Sequence, residues 1–415
     1  MKLLSTLFFL AISINSLEGQ DNLSKPLSLN EAIELGLKNN PEIKAAKEKI
    51  YASKGRFWSG ISLSSPELSV SYEYVPTGQG LTNFSEKTLG INQVVEFPTN
   101  YFLRGSKLSK EKEIAENEFK LTELSIVSKV KTAYYHVLSS QEQLQIAQEN
   151  LTIAEDFYKK AEIRYNVGEG TNLERLTAKV QYTEGMNNVE IHKNKLTAAY
   201  AELNYALGYG KYEAIEFQLT DKLNFISFDF TFDKLVEEAA VINPQLKSNQ
   251  LRVGSTSIER TLAWSSLLPN FNLAYFKQTR DGDDGYYGAL FGISIPLWFM
   301  FDQRGKIEEA SANFSTAEYE LQSTKNAIYL RIKNSFTEFK NEEKQVQLYQ
   351  SEILPQSEEI YRTASISYEA GEITYLEFLQ AQQTIINSRD NYINALLSYN
   401  LSLISLEEAV GSRLQ

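Results

Sequence analysis

The chain has 415 residues, 42% of them hydrophobic, and a formal net charge of −12. That acidity argues against nucleic acid as a partner; it suits solubility, or a solute path that disfavours anions. There is no cysteine, which excludes disulfides, a lipid on an N-terminal cysteine and any cysteine metal site.

The N-terminus reads as an export signal. Lys2 precedes an apolar run from Leu3 to Ile14 and then small, polar residues, so residues 1–19 are expected to be removed after Ser16 or Gly19. The run is too short to span a bilayer as a helix. No later stretch is apolar enough to do so, and a membrane part would therefore have to be built from strands.

"LSLNEAIELGLKNNPEI", residues 27–43, predicts a short helix over 29–38 and a second helix after the Asn40–Pro41 pair. Two strands are expected at about 66–76 and 87–97. In the first, Leu68, Val70, Tyr72 and Tyr74 alternate with Glu67, Ser69, Ser71 and Glu73; in the second, Leu89, Ile91, Val95 and Phe97 share a face. A very long helix follows. Val130, Val137, Leu144, Leu151, Tyr158 and Tyr165 stand at seven-residue steps, with Ala133, Ser140, Ala147, Ala154 and Ala161 three behind. Small residues at alternate seam positions let helices approach closely. No Pro or Gly interrupts from Ser106 to Asn166. At ~1.5 Å per residue that is a rod on the order of 90 Å. It ends at "YNVGEGTNLERL", where Gly168 precedes a returning helix.

The pattern then begins again. "FTFDKLVEEAAVINPQL" starts at Phe230, 203 residues after Leu27, and "YEAGEITYLEFL" starts at Tyr368, 203 after Tyr165. Pro66 maps onto Pro269, Ala178 onto Ala381 and Gly208 onto Gly411. The chain is a tandem duplication, with a first structural repeat over 20–210 and a second over 211–415, together expected to form one domain. Strands in the second are expected at about 269–278 and 286–297, where Tyr287, Ala289, Phe291, Ile293, Ile295 and Leu297 oppose Gly288, Gly292 and Ser294. Proline marks each change between helix and strand, at Pro66, Pro98, Pro269 and Pro296. The second long helix contains Pro355 where the first has Thr152, so the halves are expected to differ there.

Runs of this length with one apolar face are the size of outer-membrane strands. Two hairpins packed on the helices of a soluble protein would show the same alternation. Tyr74, Tyr286 and Trp298 at the run ends favour a membrane girdle. Four strands cannot close a barrel, and open edges in lipid cost several kcal/mol per backbone group. Several chains would have to share one barrel, and three would supply twelve strands.

Taken together, the duplicated halves, the Asn–Pro openings, the proline-flanked hairpins and the doubled "YxxGExxxLExL" turn resemble the TolC family of outer-membrane efflux channels over nearly the whole mature chain. The resemblance implies a mainly α fold with a transmembrane β part: a homotrimer with a twelve-stranded barrel in outer-membrane lipid and a long-helix α-barrel in the periplasm. It implies a passive exit duct fed by a periplasmic adaptor protein and an inner-membrane pump. The strand exit "VEFPTNYFLRG" resembles members that partner metal-ion exporters. Gly168, Glu169 and Thr171, with Gly371, Glu372 and Thr374, would then form the periplasmic tip turns that meet the adaptor. Within the family's acidic tip pattern, Glu174 and Glu377 match the first acidic position, whereas Thr177 and Gln380 occupy the second. Glu174, Glu377 and Gln380 are thus the candidates for the pore constriction. The plainer reading is that both acids are solvated residues near a helix N-terminus, where acids are favoured in any case.

Nothing in the sequence points to catalysis. There is no nucleophile motif, phosphate loop or acid–base constellation, so neither an enzyme nor a cofactor is expected. His136 and His192 are the only histidines, too few for a His/Cys metal site in one chain. "DGDDG" at 281–285 lacks the closing Glu of a calcium loop and reads as an external turn. A periplasmic coiled-coil tether is the alternative function, and a secreted enzyme on a helical scaffold a more distant one.

Overall fold

The computed structural model describes residues 26–210, 215–297 and 299–414. The expected signal segment and Trp298 lie outside the described residues. Helix α1 (Leu29–Asn39) starts at a capping box, in which Ser28 and Glu31 satisfy each other's backbone N–H groups. Asn40 then breaks the helix and Pro41 opens α2 (Pro41–Ile61). The second repeat has the same Asn–Pro break between α5 (Phe232–Ile242), which starts at Thr231 without a side-chain cap, and α6 (Pro244–Ser265), where the Asn243 side chain accepts from Gln245 and Leu246 N–H.

Around these starts the helices and the four longer strands follow in the order read from the sequence, with two short strands, at Pro26–Leu27 and Gln218–Leu219, that it did not indicate. Strand β1 (Pro26–Leu27) precedes α1. Strands β2 (Glu67–Glu73) and β3 (Glu86–Val95) lead to α3 (Pro98–Asn166), an unbroken helix of 69 residues, and then to α4 (Asn172–Ala206) and β4 (Gln218–Leu219). Strands β5 (Asn270–Arg280) and β6 (Asp283–Ser294) lead to α7 (Asp302–Leu348), α8 (Leu354–Glu369) and α9 (Tyr375–Val410).

Contacts divide the chain into two compact units that cut across the repeats. Among the described residues, one comprises those in 26–40, 126–228 and 337–405; the other comprises those in 41–125, 229–336 and 406–414. In the first, Ile126, Val130, Tyr134, Val137, Leu203, Phe339 and Tyr399 are fully buried. Residues 217–226, between the repeats, lie along these helices. The Tyr200 hydroxyl donates to Phe217 O, Tyr399 to Ile226 O, and Tyr134 to Leu27 O and Asp221. Burial and the Asp221 carboxylate push the Tyr134 hydroxyl well above its usual pKa. Burial along the seam of α3 falls off towards its end: Val130 and Val137 are inaccessible, Leu144 and Leu151 half-buried and Tyr165 exposed.

The second unit carries the sheet, antiparallel throughout in the order β2-β3-β5-β6. The register puts Leu68, Val70, Leu89, Ile91, Phe271, Leu273, Tyr275, Phe291 and Ile293 on one face. That face is bare: Leu68 is 76% exposed, Phe291 65% and Ile293 54%. Pro66 and Pro269 immediately precede β2 and β5, and Pro98 is the first residue of α3. Pro296 differs from this pattern. It follows β6, and α7 starts only at Asp302, so this junction is a turn rather than a direct strand-to-helix switch. The β5–β6 hairpin turns on Asp281 and Gly282 alone, both at positive φ (48° and 85°), as a two-residue type I′ turn requires. The rest of "DGDDG" already belongs to β6.

Pro355 is accommodated by a π-helical turn at Tyr349–Ile353, immediately before α8. Proline cannot donate, and its ring crowds the preceding turn. The wider turn lets Leu354 N–H reach back five residues to Tyr349 O. At the equivalent place in α3 the helix continues, and the Thr152 hydroxyl donates to Gln148 O.

Each repeat closes on itself through one glycine. Gly208 (φ 82°) ends α4, with Tyr209 N–H bonded to Asn204 O, and Gly411 (φ 89°) ends α9, with Ser412 N–H bonded to Glu407 O. Asn40 and Asn243 donate side-chain N–H groups to the last carbonyls of the same helices, at Ala206 and at Ala409 and Val410. A Cβ on Gly208 would stand 2.8 Å from the Asn40 backbone, whereas one on Gly168, also at φ 82°, would meet nothing. Gly168→Ala should therefore cost about 1 kcal/mol, for its φ alone. Gly208→Ala should cost roughly 2–4 kcal/mol, because the clash is with backbone. Thermal unfolding of the purified protein checks the order, and equal losses would mean that the Asn40 contact is not tight.

Candidate functional site

The long helices reverse at two similar turns. Helix α3 ends with Gly168 at φ 82°, where Glu169 and Gly170 N–H both bond to Arg164 O. Helix α8 ends with Gly371 at φ 77°, where Glu372 N–H bonds to Ser367 O. Only glycine takes this conformation cheaply, and the bonds satisfy carbonyls that the helix end leaves open. The returning helices start on Thr171 and Thr374, whose hydroxyls accept from Glu174 and Glu377 N–H.

The two predicted acids have different surroundings. Glu377 completes a capping box: its carboxylate accepts from Thr374 N–H at 2.8 Å and from the Thr374 hydroxyl at 2.9 Å. Those bonds, the backbone one first, hold its carboxyl below the usual carboxylate range. Glu174 instead accepts from the Tyr368 hydroxyl at 3.2 Å and pairs with Arg164 at 3.5 Å, and Arg164 also reaches the Tyr368 hydroxyl. One carboxylate of the first turn is thus tied to the helix entering the second. Gln380 is exposed and lines a cleft with Gln181, Asn188 and Gln383.

Beneath the turns lies an aromatic cluster that the sequence reading did not single out. Phe157 stacks on Tyr375 at 4.7 Å and on Phe378 at 5.1 Å, and Tyr368 stacks on Phe378 at 5.3 Å. Burial pushes the Tyr375 hydroxyl up to about 12. The signal was available: Tyr361, Tyr368 and Tyr375 repeat at seven-residue steps, and Phe378 follows three later. The first repeat has Asn172 and Arg175 in place of Tyr375 and Phe378, and Arg175 lies over the Tyr165 ring at 5.0 Å. The turns therefore share a backbone but not a core.

Among the described residues, no helix is long and apolar enough to cross a membrane, and no group of three or more His, Cys, Asp or Glu could hold a metal ion. A bare apolar sheet and doubled glycine-capped helical turns are the features of the chain that need a partner.

Comparison with known proteins places that combination. The outer membrane efflux protein family matches residues 32–209 and again 235–412, once in each repeat. The chain is 20% identical over 395 residues to the cobalt-zinc-cadmium resistance protein CzcC of Cupriavidus metallidurans, across 93% of this chain and 90% of that one. It is also 20% identical over 426 residues to the outer membrane protein TolC of Escherichia coli, across 96% and 85%. In fold it resembles the Campylobacter jejuni CmeC outer membrane channel, with a TM-score of 0.78 at 17% identity over 93% of this chain and 87% of that one. With both repeats matched and the fold shared over nearly its whole length, the chain belongs to the outer membrane efflux protein family.

Proposed function

We propose that the chain is the passive outer-membrane exit duct of a tripartite efflux system, working as a homotrimer whose two repeats, residues 20–210 and 211–415, act as one domain. The observation that carries this reading is the four-stranded sheet, apolar and exposed on one face and unpaired at both edges. Three copies would supply twelve strands and put the apolar face against outer-membrane lipid. A periplasmic tether would have no use for such a face.

The tip turns, with Gly168, Glu169 and Thr171 beside Gly371, Glu372 and Thr374, are the docking surface for a periplasmic adaptor coupled to an inner-membrane pump. The likeness to a cobalt-zinc-cadmium resistance protein supports a pump of the metal-exporting type. No step of this function is catalytic; the partner supplies the energy.

The lipid-facing assignment is tested by Ile293→Arg. An arginine near the bilayer midplane costs ~2–4 kcal/mol, so the variant should insert and assemble poorly in outer membranes, while Ser294→Arg on the other face should be tolerated better. Normal assembly of Ile293→Arg would mean that this face does not meet lipid.

Glu174, Glu377 and Gln380 are the constriction residues in this reading. Threefold symmetry would gather three copies of each acid near one axis, where a narrow pore weakens screening and attracts cations. Glutamine keeps an oxygen to cap Thr374, so Glu377→Gln removes charge without removing the cap. It should reduce cation preference in planar-bilayer conductance and weaken block by multivalent cations. Glu174→Gln should do less, since Arg164 already offsets that charge. Unchanged selectivity and block in the double variant would remove the constriction assignment and leave the duct intact.

A further inference from the structure

The apolar face of the sheet changes character at its turn end. From the helix-bearing end outward, β5 presents Phe271, Leu273, Tyr275 and then Lys277; β3 presents Val95, Gln93, Ile91, Leu89 and then Lys87. Leu89 stands opposite Lys277, and Lys87 stands one rung further out, opposite Thr279. The two lysines are therefore diagonal neighbours on one face, ~7–8 Å apart. Each also faces a tyrosine across the ladder, Lys87 opposite Tyr72 and Lys277 opposite Tyr287. The Lys87 ammonium lies 5.7 Å from the centre of the Tyr72 ring, and the Tyr275 and Tyr287 rings are 6.4 Å apart. The acids of β2 and β3, Glu67, Glu73 and Glu86, have the opposite parity and occupy the other face, while Asp284 of β6 accepts from the Thr279 hydroxyl opposite Lys87 and sets one carboxylate at the outer rim of the pair.

A chain with a net charge of −12 thus places two cations, framed by three tyrosines, on the face it turns to lipid. An ammonium there is costly unless its head reaches water or an anion at the interface. Two cations a diagonal apart can bridge the oxygens of phosphate groups, and flat tyrosine rings offer apolar faces for a sugar ring. We propose that Lys87 and Lys277, with Tyr72, Tyr275 and Tyr287, bind a phosphorylated glycolipid of the leaflet at the turn end of the barrel. The tyrosine frame favours a sugar-bearing headgroup over a phosphoglyceride. The proposal rests on the reading of the sheet as a barrel wall.

The test is native mass spectrometry of the full-length assembly in detergent. It is titrated with a bisphosphorylated lipid A-type glycolipid, with its dephosphorylated form and with phosphatidylglycerol. The wild type should bind the phosphorylated glycolipid in preference to the other two. Lys87→Gln with Lys277→Gln should weaken that binding about 25-fold, about 5-fold for each lysine, and should leave the weak binding of the other two lipids unchanged. Equal wild-type binding of the dephosphorylated glycolipid would overturn the proposal without reference to any variant. So would undiminished binding by the double variant, or phosphatidylglycerol bound as tightly as the glycolipid. An assembly that needs detergent but ignores phosphate removes only the lysine site. A chain that stays soluble and unassembled without detergent removes the duct reading as well.

Discussion

An unpaired strand edge cannot remain in hydrocarbon. Each open backbone group there costs several kcal/mol, because no water replaces the missing partner. The sheet of this chain has two such edges, β2 and β6, and a face of exposed leucine, isoleucine, valine and aromatic residues between them. In water, that face would be an aggregation surface. Both problems disappear together if copies of the chain join edge to edge around a closed barrel. In the proposed homotrimer the helices that enter and leave the strands would be brought together with their copies, and charges that are harmless in one chain would come close to one another.

Duplication gives one chain two hairpins and two tip turns, and the places where the repeats differ show what each contributes. Both repeats use an Asn–Pro start held against a glycine-capped last helix, which is backbone chemistry and tolerates little change. Side-chain chemistry has diverged. The second tip rests on Phe157, Tyr368, Tyr375 and Phe378, while the first uses a cation over a tyrosine. The second long helix is interrupted by a π turn ahead of Pro355, and the first is not. The Arg164–Glu174–Tyr368 contacts join the two tips.

Much of this was legible in the residues because it depends on local rules. Asn40–Pro41 and Asn243–Pro244 mark helix boundaries, alternation marks the strands, and glycine after a long helix marks a positive φ. The parts that were not legible depend on choices among local partners. Proline at 296 could as well have opened a helix as preceded a turn. A glutamate three residues after Thr374 is an acid near a helix start in the sequence, and only the fold shows that its carboxylate also closes a capping box with Thr374. The Tyr361–Tyr368–Tyr375 spacing reads as seam, and only the fold shows that Phe157 from another helix completes the cluster. The four strands could be read from the sequence; the order in which the hairpins join, through β3 and β5, could not.

The most direct test of the shared barrel is the number of chains in the detergent-extracted particle, measured by native mass spectrometry or sedimentation with the detergent contribution subtracted. A shared barrel should contain three chains, extracted from membranes only by detergent and held together when salt is raised, because ladder hydrogen bonds and apolar contacts are not screened as surface ion pairs are. A folded, membrane-extracted particle containing one or two chains would contradict it, since four or eight strands of this sheet would then have found another way to satisfy their edges.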